Sequence, residues 1–231
     1  MQILNADRSL AVIVKAPGEE CEHQLPEQLT NELGGTWYCV HRLDRAVGGV
    51  MVYAHTKDAA ASLSRQIAEH FFVKEYLAVV NGTLEPGAGD LRDFLWKDGK
   101  AGRAYVTDRK RTGVKEAVLH YETSEQAVWE GMTLSLVRIN LQTGRFHQIR
   151  VQFASRGLPL LGDGKYGSRI KCQTALFSYG LRFVHPEAKK VICFTATPDE
   201  IFPWSLFTVL NQTDSGKENT KETENSHGLC Q

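Results

Sequence analysis

His41-Arg42-Leu43-Asp44-Arg45 sets one carboxylate between two arginines, with the apolar run Val50-Met51-Val52-Tyr53-Ala54 close behind it. A second dense segment, Thr143-Gly144-Arg145-Phe146-His147-Gln148-Ile149-Arg150, brings further guanidinium groups. An acid with arginines near in sequence, and again far away, reads as an ionised carboxylate in a site that binds anions, because a neighbouring Arg⁺ favours the charged form. Held charged, it is available as a nucleophile rather than as a proton donor. Spacing alone also fits a structural ion-pair cluster. At roughly 100° per residue, Phe146, Ile149, Arg150 and Phe153 share one stripe of a helix expected over 146–154, about as wide as a core-facing surface. Arg150 then lies on the apolar face, where a guanidinium is costly unless a carboxylate or several carbonyls meet it. Arg145, His147 and Gln148 would project from the start of that helix, where backbone N–H groups favour phosphate.

These residues need a scaffold, and the pattern around them is rich in strands. Residues 3–5 and 10–15 alternate as two short strands around Asp7-Arg8-Ser9, and 19–36 reads as irregular or weakly helical up to Gly34-Gly35. A strand over 37–40 feeds the Asp44 loop and another spans 50–54. Thr56 caps a helix in which Ala60, Leu63, Ile67 and Phe71 recur at three- to four-residue spacing. A strand over 74–80, closed by the turn dipeptide Asn81-Gly82, puts Lys74, Tyr76, Ala78 and Val80 on one face. Four glycines and a proline mark 85–102 as a loop. Strands over 114–121 and 132–141 pair across Trp129-Glu130-Gly131, 191–196 is β-rich, and Gly157 is placed to end the Arg150 helix. Strands joined by short turns and outnumbering helices predict an α+β fold: a mixed, mostly antiparallel central sheet flanked by helices and loops. The folded domain is expected over 1–210. The stretch 211–231, rich in Thr, Asn, Glu, Lys and Ser with no apolar period, is expected to be a disordered polar tail.

A chain of 231 residues with 42% hydrophobic content can bury a real core. No apolar run approaches the roughly 18 residues of a membrane span, and the start lacks a charged-then-apolar signal pattern. The five cysteines never form Cys-x-x-Cys, and Cys21-x-His23 alone is a poor zinc site, so no metal is expected and a reduced, cytoplasmic setting fits best. The zero net charge divides into −2 on 211–231 and +2 on the rest. Arg103, Arg109, Lys110, Arg111 and Lys115 fall within thirteen residues that hold one acid, Asp108. A patch of that kind can hold a phosphate backbone, or it is a solvated hairpin. Gly162-Asp163-Gly164-Lys165-Tyr166-Gly167 lacks the spacing of a nucleotide P-loop and reads as a tight turn shaping the site.

The His41–Arg45 segment resembles the active-site motif of the RluA-type pseudouridine synthases. The resemblance runs on in order through Lys74-Glu75-Tyr76-Leu77-Ala78-Val79-Val80, Thr143 to Val151, Leu160 to Gly167 and Leu181-Arg182-Phe183-Val184-His185-Pro186, with Ile3 to Gly18 similar to the family's opening strand and turn. Ordered motifs over roughly 3–205 are far more specific than any one of them. The resemblance implies isomerisation of a uridine in structured RNA, rRNA or tRNA, to pseudouridine, without cofactor and by a monomer. Asp44 would be the covalent catalyst, by attack at C1′, attack at the base or removal of a ribose proton. Arg150 would pair with Asp44, and Tyr76 would stack on the base and assist loss of the C5 proton. Arg42 would occupy the space of a flipped base, Arg45, Arg145 and His147 would contact substrate, and 103–115 would be a candidate phosphate-binding arm. Selectivity is expected from the catalytic body, with no separate RNA-binding domain before it. One departure is the triplet Val47-Gly48-Gly49, where the family usually has Thr-Ser-Gly; two hydroxyls are lost beside the nucleophile, and the positioning of Asp44 is at stake. The competing reading is a non-catalytic RNA-binding protein on the same scaffold. A metal-free hydrolase would need a second carboxylate that no motif supplies.

Overall fold

The computed structural model describes residues 1–109 and 111–211; Lys110 and the expected disorder of the tail fall outside them. In chain order the elements are β1 (Gln2–Ala6), β2 (Leu10–Lys15), α1 (Gln24–Leu33), β3 (Tyr38–Cys39), β4 (Gly48–Ala54), α2 (Lys57–Ala68), β5 (Val73–Asn81), β6 (Ala88–Asp98), β7 (Arg103–Val106), β8 (Val114–Trp129), β9 (Met132–Leu141), α3 (Gln148–Ala154), β10 (Leu176–Val184), β11 (Val191–Thr195) and α4 (Thr208–Asn211). They fall into two compact units. The first holds Met1–Lys74 and Ser178–Pro198, the second Glu75–Phe177 and 199–211.

In the first unit the strand order is β1-β2-β4-β10, with β3 also on β4 and β11 on β10. The ladders β1–β2, β2–β4, β3–β4 and β10–β11 are antiparallel. The β1–β2 hairpin turns where expected, because Asp7 Oδ1 accepts from the N–H groups of Ser9 and Leu10 at 2.6 and 3.0 Å. Thr56 caps α2 as expected, its Oγ1 accepting from Ala59 N at 3.1 Å. Leu63 joins Leu10, Val12, Val50 and Val52 in the core. The helix stops at Ala68, however, and His70 takes a left-handed φ of 62°. Phe71, expected on the buried stripe, is thrown out of phase and 68% exposed, while Phe72 turns inward and stacks on Phe183 with centroids 5.1 Å apart.

The second unit runs β5-β9-β8-β6-β7, with antiparallel ladders throughout. The expected 85–102 loop is instead mostly β6. Its glycines (Gly87, Gly89, Gly99, Gly102) lie at or beyond the strand's ends, and partners on both edges supply the hydrogen bonds. The β8–β9 turn falls at Glu130 and Gly131, both at positive φ, as the left-handed turn of a tight hairpin requires. The Arg150 helix is shorter than expected, since α3 begins at Gln148 after a left-handed His147. It is no one-sided helix either, because Gln148 through Phe153 are all buried. Few helices and antiparallel ladders bear out the α+β expectation. No helix of the described residues is long and apolar enough to cross a membrane.

Candidate functional site

In the first unit, Asp44 sits half-buried in the loop between β3 and β4. The main chain that follows it is fastened from beneath by Lys15, whose side chain is fully buried at the end of β2. Lys15 Nζ donates to the carbonyls of Ala16, Arg45 and Val47 at 3.0, 3.2 and 2.7 Å. Burial draws its pKa down, while the negative charges of Glu19 and Asp44 pull the other way. Arg45 and Gly18 exchange two bonds, Gly18 N to Arg45 O at 2.7 Å and Arg45 Nε to Gly18 O at 2.8 Å. Val47 N closes the loop on Asp44 O at 2.9 Å. Arg42 is exposed and ion-pairs with Glu22 at 3.1 Å, a surface contact worth little to stability. His41 serves the loop's support: its Nε2 accepts from Val52 N at 3.1 Å, its ring packs on Phe72, and burial together with Lys74 pushes its pKa down to about 3.

Gly49, the one position of the triplet that keeps the family's residue, is glycine for a steric reason. Gly49 has φ 121°, and a Cβ there would stand 2.3 Å from Ser178 O and 2.5 Å from Ser178 N. Only glycine lets β4 and β10 approach so closely there.

In the second unit, Tyr76 is buried in β5 opposite Ile139 of β9. Arg150 meets a carboxylate, as its burial demands, and in this unit that carboxylate is Asp163. Arg150 Nε and Nη2 bind the two Asp163 oxygens at 2.7 and 2.8 Å, with the side chains 7% and 1% exposed. The fork-to-fork geometry fixes the plane and direction of the guanidinium. Asp163 opens the 3₁₀ turn Gly164–Tyr166, held between Gly162 (φ 76°) and Gly167 (φ 103°), so the glycine-rich segment is the tight turn expected. The Tyr166 ring lies 5.2 Å from the Arg150 guanidinium and 5.1 Å from that of Arg103. Its hydroxyl accepts from Ala104 N at 2.8 Å and meets His147 Nδ1 at 2.9 Å.

The segment before α3 is not an open helix start. Gln148 Oε1 takes the N–H of Arg145 and the hydroxyl of Thr143, and Arg145 Nε binds Glu116 O at 2.8 Å. An open pocket of about 520 Å³ adjoins the Asp163 turn, with Arg169, Lys171 and Ser168 in its lining. Among the described residues, no three His, Cys, Asp or Glu side chains group as a metal site. Asp44 thus belongs to the first unit and Tyr76, Arg145, His147 and Arg150 to the second.

Sequence reasoning missed Lys15, Asp163 and Tyr166 as supports. A signal existed for Asp163, the single acid between Gly131 and Pro186, and so the one local partner for a buried Arg150.

The fold agrees with what comparison finds. The RNA pseudouridylate synthase family model matches residues 11–155. An uncharacterised RNA pseudouridine synthase of Bacillus subtilis is 35% identical over 156 residues, 66% of this chain and 50% of that protein. A ribosomal large subunit pseudouridine synthase D of Neisseria meningitidis is 34% identical over 209 residues, 82% of this chain and 53% of that protein. The tRNA pseudouridine synthase C of Yersinia pestis is 31% identical over 196 residues, 77% of this chain and 74% of that protein. The chain spans about half the length of the first two of these relatives. The structure of human RNA pseudouridylate synthase domain containing 1 superposes with a TM-score of 0.74 at 23% identity, over 97% of this chain and 90% of that one, and shares the fold. The chain belongs to the RNA pseudouridylate synthase family, in its RluA-type branch.

Proposed function

We propose that this chain isomerises uridines within structured RNA, rRNA or tRNA, to pseudouridine, with Asp44 as the covalent catalyst. The observation that carries the reading is the Asp44 loop. Three carbonyls bound to one buried ammonium, with a reciprocal Gly18–Arg45 pair, tie the loop that carries the Asp44 carboxylate to the end of β2, and a backbone held in that way is what a nucleophile needs and a mere surface ion pair does not. Arg150, oriented by Asp163, is the cation assigned to Asp44. Tyr76 is assigned to stack on the base, replacing the neighbours the base loses on leaving its helix. Arg42, Arg45, Arg145 and His147 are assigned to substrate. The reaction breaks N1–C1′ and rejoins the same base through C5, so its electrons balance internally and the C5 hydrogen leaves to solvent.

That hydrogen is the assay. RNA carrying uridine tritiated at C5 should release tritium to water with the native protein. With Asp44→Asn, which keeps size and removes the charge and nucleophilic oxygen, release should stop while RNA binding persists. Substantial release by Asp44→Asn would refute the assignment.

A further inference from the structure

We propose that the face of β6, β7 and β8 turned away from α3 is a stacking platform for unpaired bases of an RNA strand. The two faces of this part of the sheet, ordered β8-β6-β7, are sorted by strand alternation. Leu95, Ala104 and Ala117 pack with Val151 of α3 and Tyr166. The opposite face carries Phe94, Trp96 and Tyr105, and the register Trp96↔Tyr105 sets those two rings side by side with centroids 6.1 Å apart. Phe94 is 53% exposed and Tyr105 41%. Aromatic rings in water on neighbouring strands forgo the burial that stabilises the other face, and an exposed patch of this kind marks a contact surface.

Cations interleave with the rings. The Arg111 guanidinium covers Trp96 at 3.7 Å from the ring centroid, and Arg109 and Lys115 lie close by in the chain. Arg111 thereby sets a cation on the platform itself, against one of its rings. Residues 92–116 contain eight basic and four acidic side chains. Three of those acids have partners: Glu116 pairs with Arg92 at 2.6 Å, Asp93 with Arg156 at 2.9 Å, and Asp98 accepts from the N–H groups of Lys100 and Ala101.

Rings beside guanidinium groups suit a strand whose bases offer π-faces and whose backbone is anionic. A duplex hides those faces in its own stack. A second copy docked here about a twofold axis would set the same basic segment against itself. The platform deepens the RNA-modifying reading and rests on it for the class of ligand, but it is tested by binding rather than by turnover.

The probes are two labelled ten-nucleotide strands of equal charge, oligouridylate and an abasic ribose-phosphate oligomer, titrated with the full chain by fluorescence anisotropy. Stacking of even one base should favour oligouridylate by at least about fivefold. Phe94→Ser with Tyr105→Ala should bring that preference down while affinity for the abasic strand stays the same. Both rings are exposed, so their removal opens no core cavity, and an unchanged melting curve checks this. Arg111→Ala should weaken both probes. Equal affinity of the native chain for the two strands would overturn the platform, and so would a preference that survives in the double variant. A native dimer that the double variant converts to monomer, with base preference intact, would mark a self-association surface instead. Tritium release on the same preparations separates the two proposals. Base-dependent binding lost in the double variant, without release from native protein, removes the activity and leaves the platform. Release without base preference does the reverse.

Discussion

Acidification should destabilise this protein through His41, and the size of the effect follows from one hydrogen bond. His41 Nε2 accepts from Val52 N at 3.1 Å, so the folded state requires an unprotonated nitrogen there. A proton on Nε2 would set donor against donor in a ring packed on Phe72 and facing the charge of Lys74. The folded pKa is accordingly pushed from 6.5 to about 3. Between those values the unfolded chain binds a proton that the folded chain does not, so folded stability falls as pH drops through 6.5 and stops falling near 3. At about 1.4 kcal/mol per pH unit, acidifying from neutrality to about pH 4.5 removes roughly 2–3 kcal/mol, a large part of an ordinary domain's margin. His41→Gln offers a carbonyl oxygen to the same N–H and does not titrate. Urea unfolding of both proteins at about pH 7.5 and 4.5 isolates the contribution, because all other ionisable groups are common to the two. The native protein should lose roughly 2–3 kcal/mol more than the variant over that interval. Equal losses would show that His41 does not hold its bond to Val52 as an unprotonated acceptor.

Two further substitutions test the supports beneath the proposed catalyst. Lys15→Met leaves the carbonyls of Ala16, Arg45 and Val47 without their shared donor; it should cost about 2–4 kcal/mol and speed hydrogen exchange at Val47 and Gly18. Asp163→Asn leaves the Arg150 guanidinium buried beside a neutral amide, which should cost about 3 kcal/mol in denaturant titrations and lower tritium release, whereas Lys165→Ala on the exposed side of the same turn should change stability by less than about 0.5 kcal/mol.

Elements governed by their own few residues were legible in the sequence. Asp7 writes the β1–β2 turn, Thr56 the start of α2, and Glu130-Gly131 the β8–β9 hairpin, because each effect acts within three residues. β6 was not legible, since local composition reports its flanking glycines while its stability comes from β7 and β8, one on each edge. The start of α3 was misplaced for a similar reason. Apolar periodicity cannot reveal that His147 is held left-handed with its Nδ1 on Tyr166, nineteen residues away. For Arg150, burial and the need for a carboxylate were both legible. The Asp163 bond was not, because reasoning by motif paired the arginine with the conspicuous acid and passed over the one within its own unit.

The loss of two hydroxyls at Val47 and Gly48 tests how the Asp44 loop is held. Hydroxyls beside a nucleophile can fix a loop through its backbone groups, yet here four of the loop's carbonyls already have partners. Val47 O and Arg45 O are taken by Lys15, Arg45 O also by Gly18 N, Asp44 O by Val47 N, and Leu43 O by the Cys21 thiol at 3.4 Å. Val47 itself is buried, so its side chain anchors the loop by packing where a hydroxyl would have needed a bond of its own. Gly48 has Pro17 and Lys15 O within 3.1 Å of where a Cβ would stand, so even a serine there would need its neighbours to yield. The triplet therefore exchanges side-chain hydrogen bonding for main-chain fastening and close packing against the turn Lys15-Ala16-Pro17-Gly18. That turn, more than the triplet, is what fixes the backbone on which Asp44 stands.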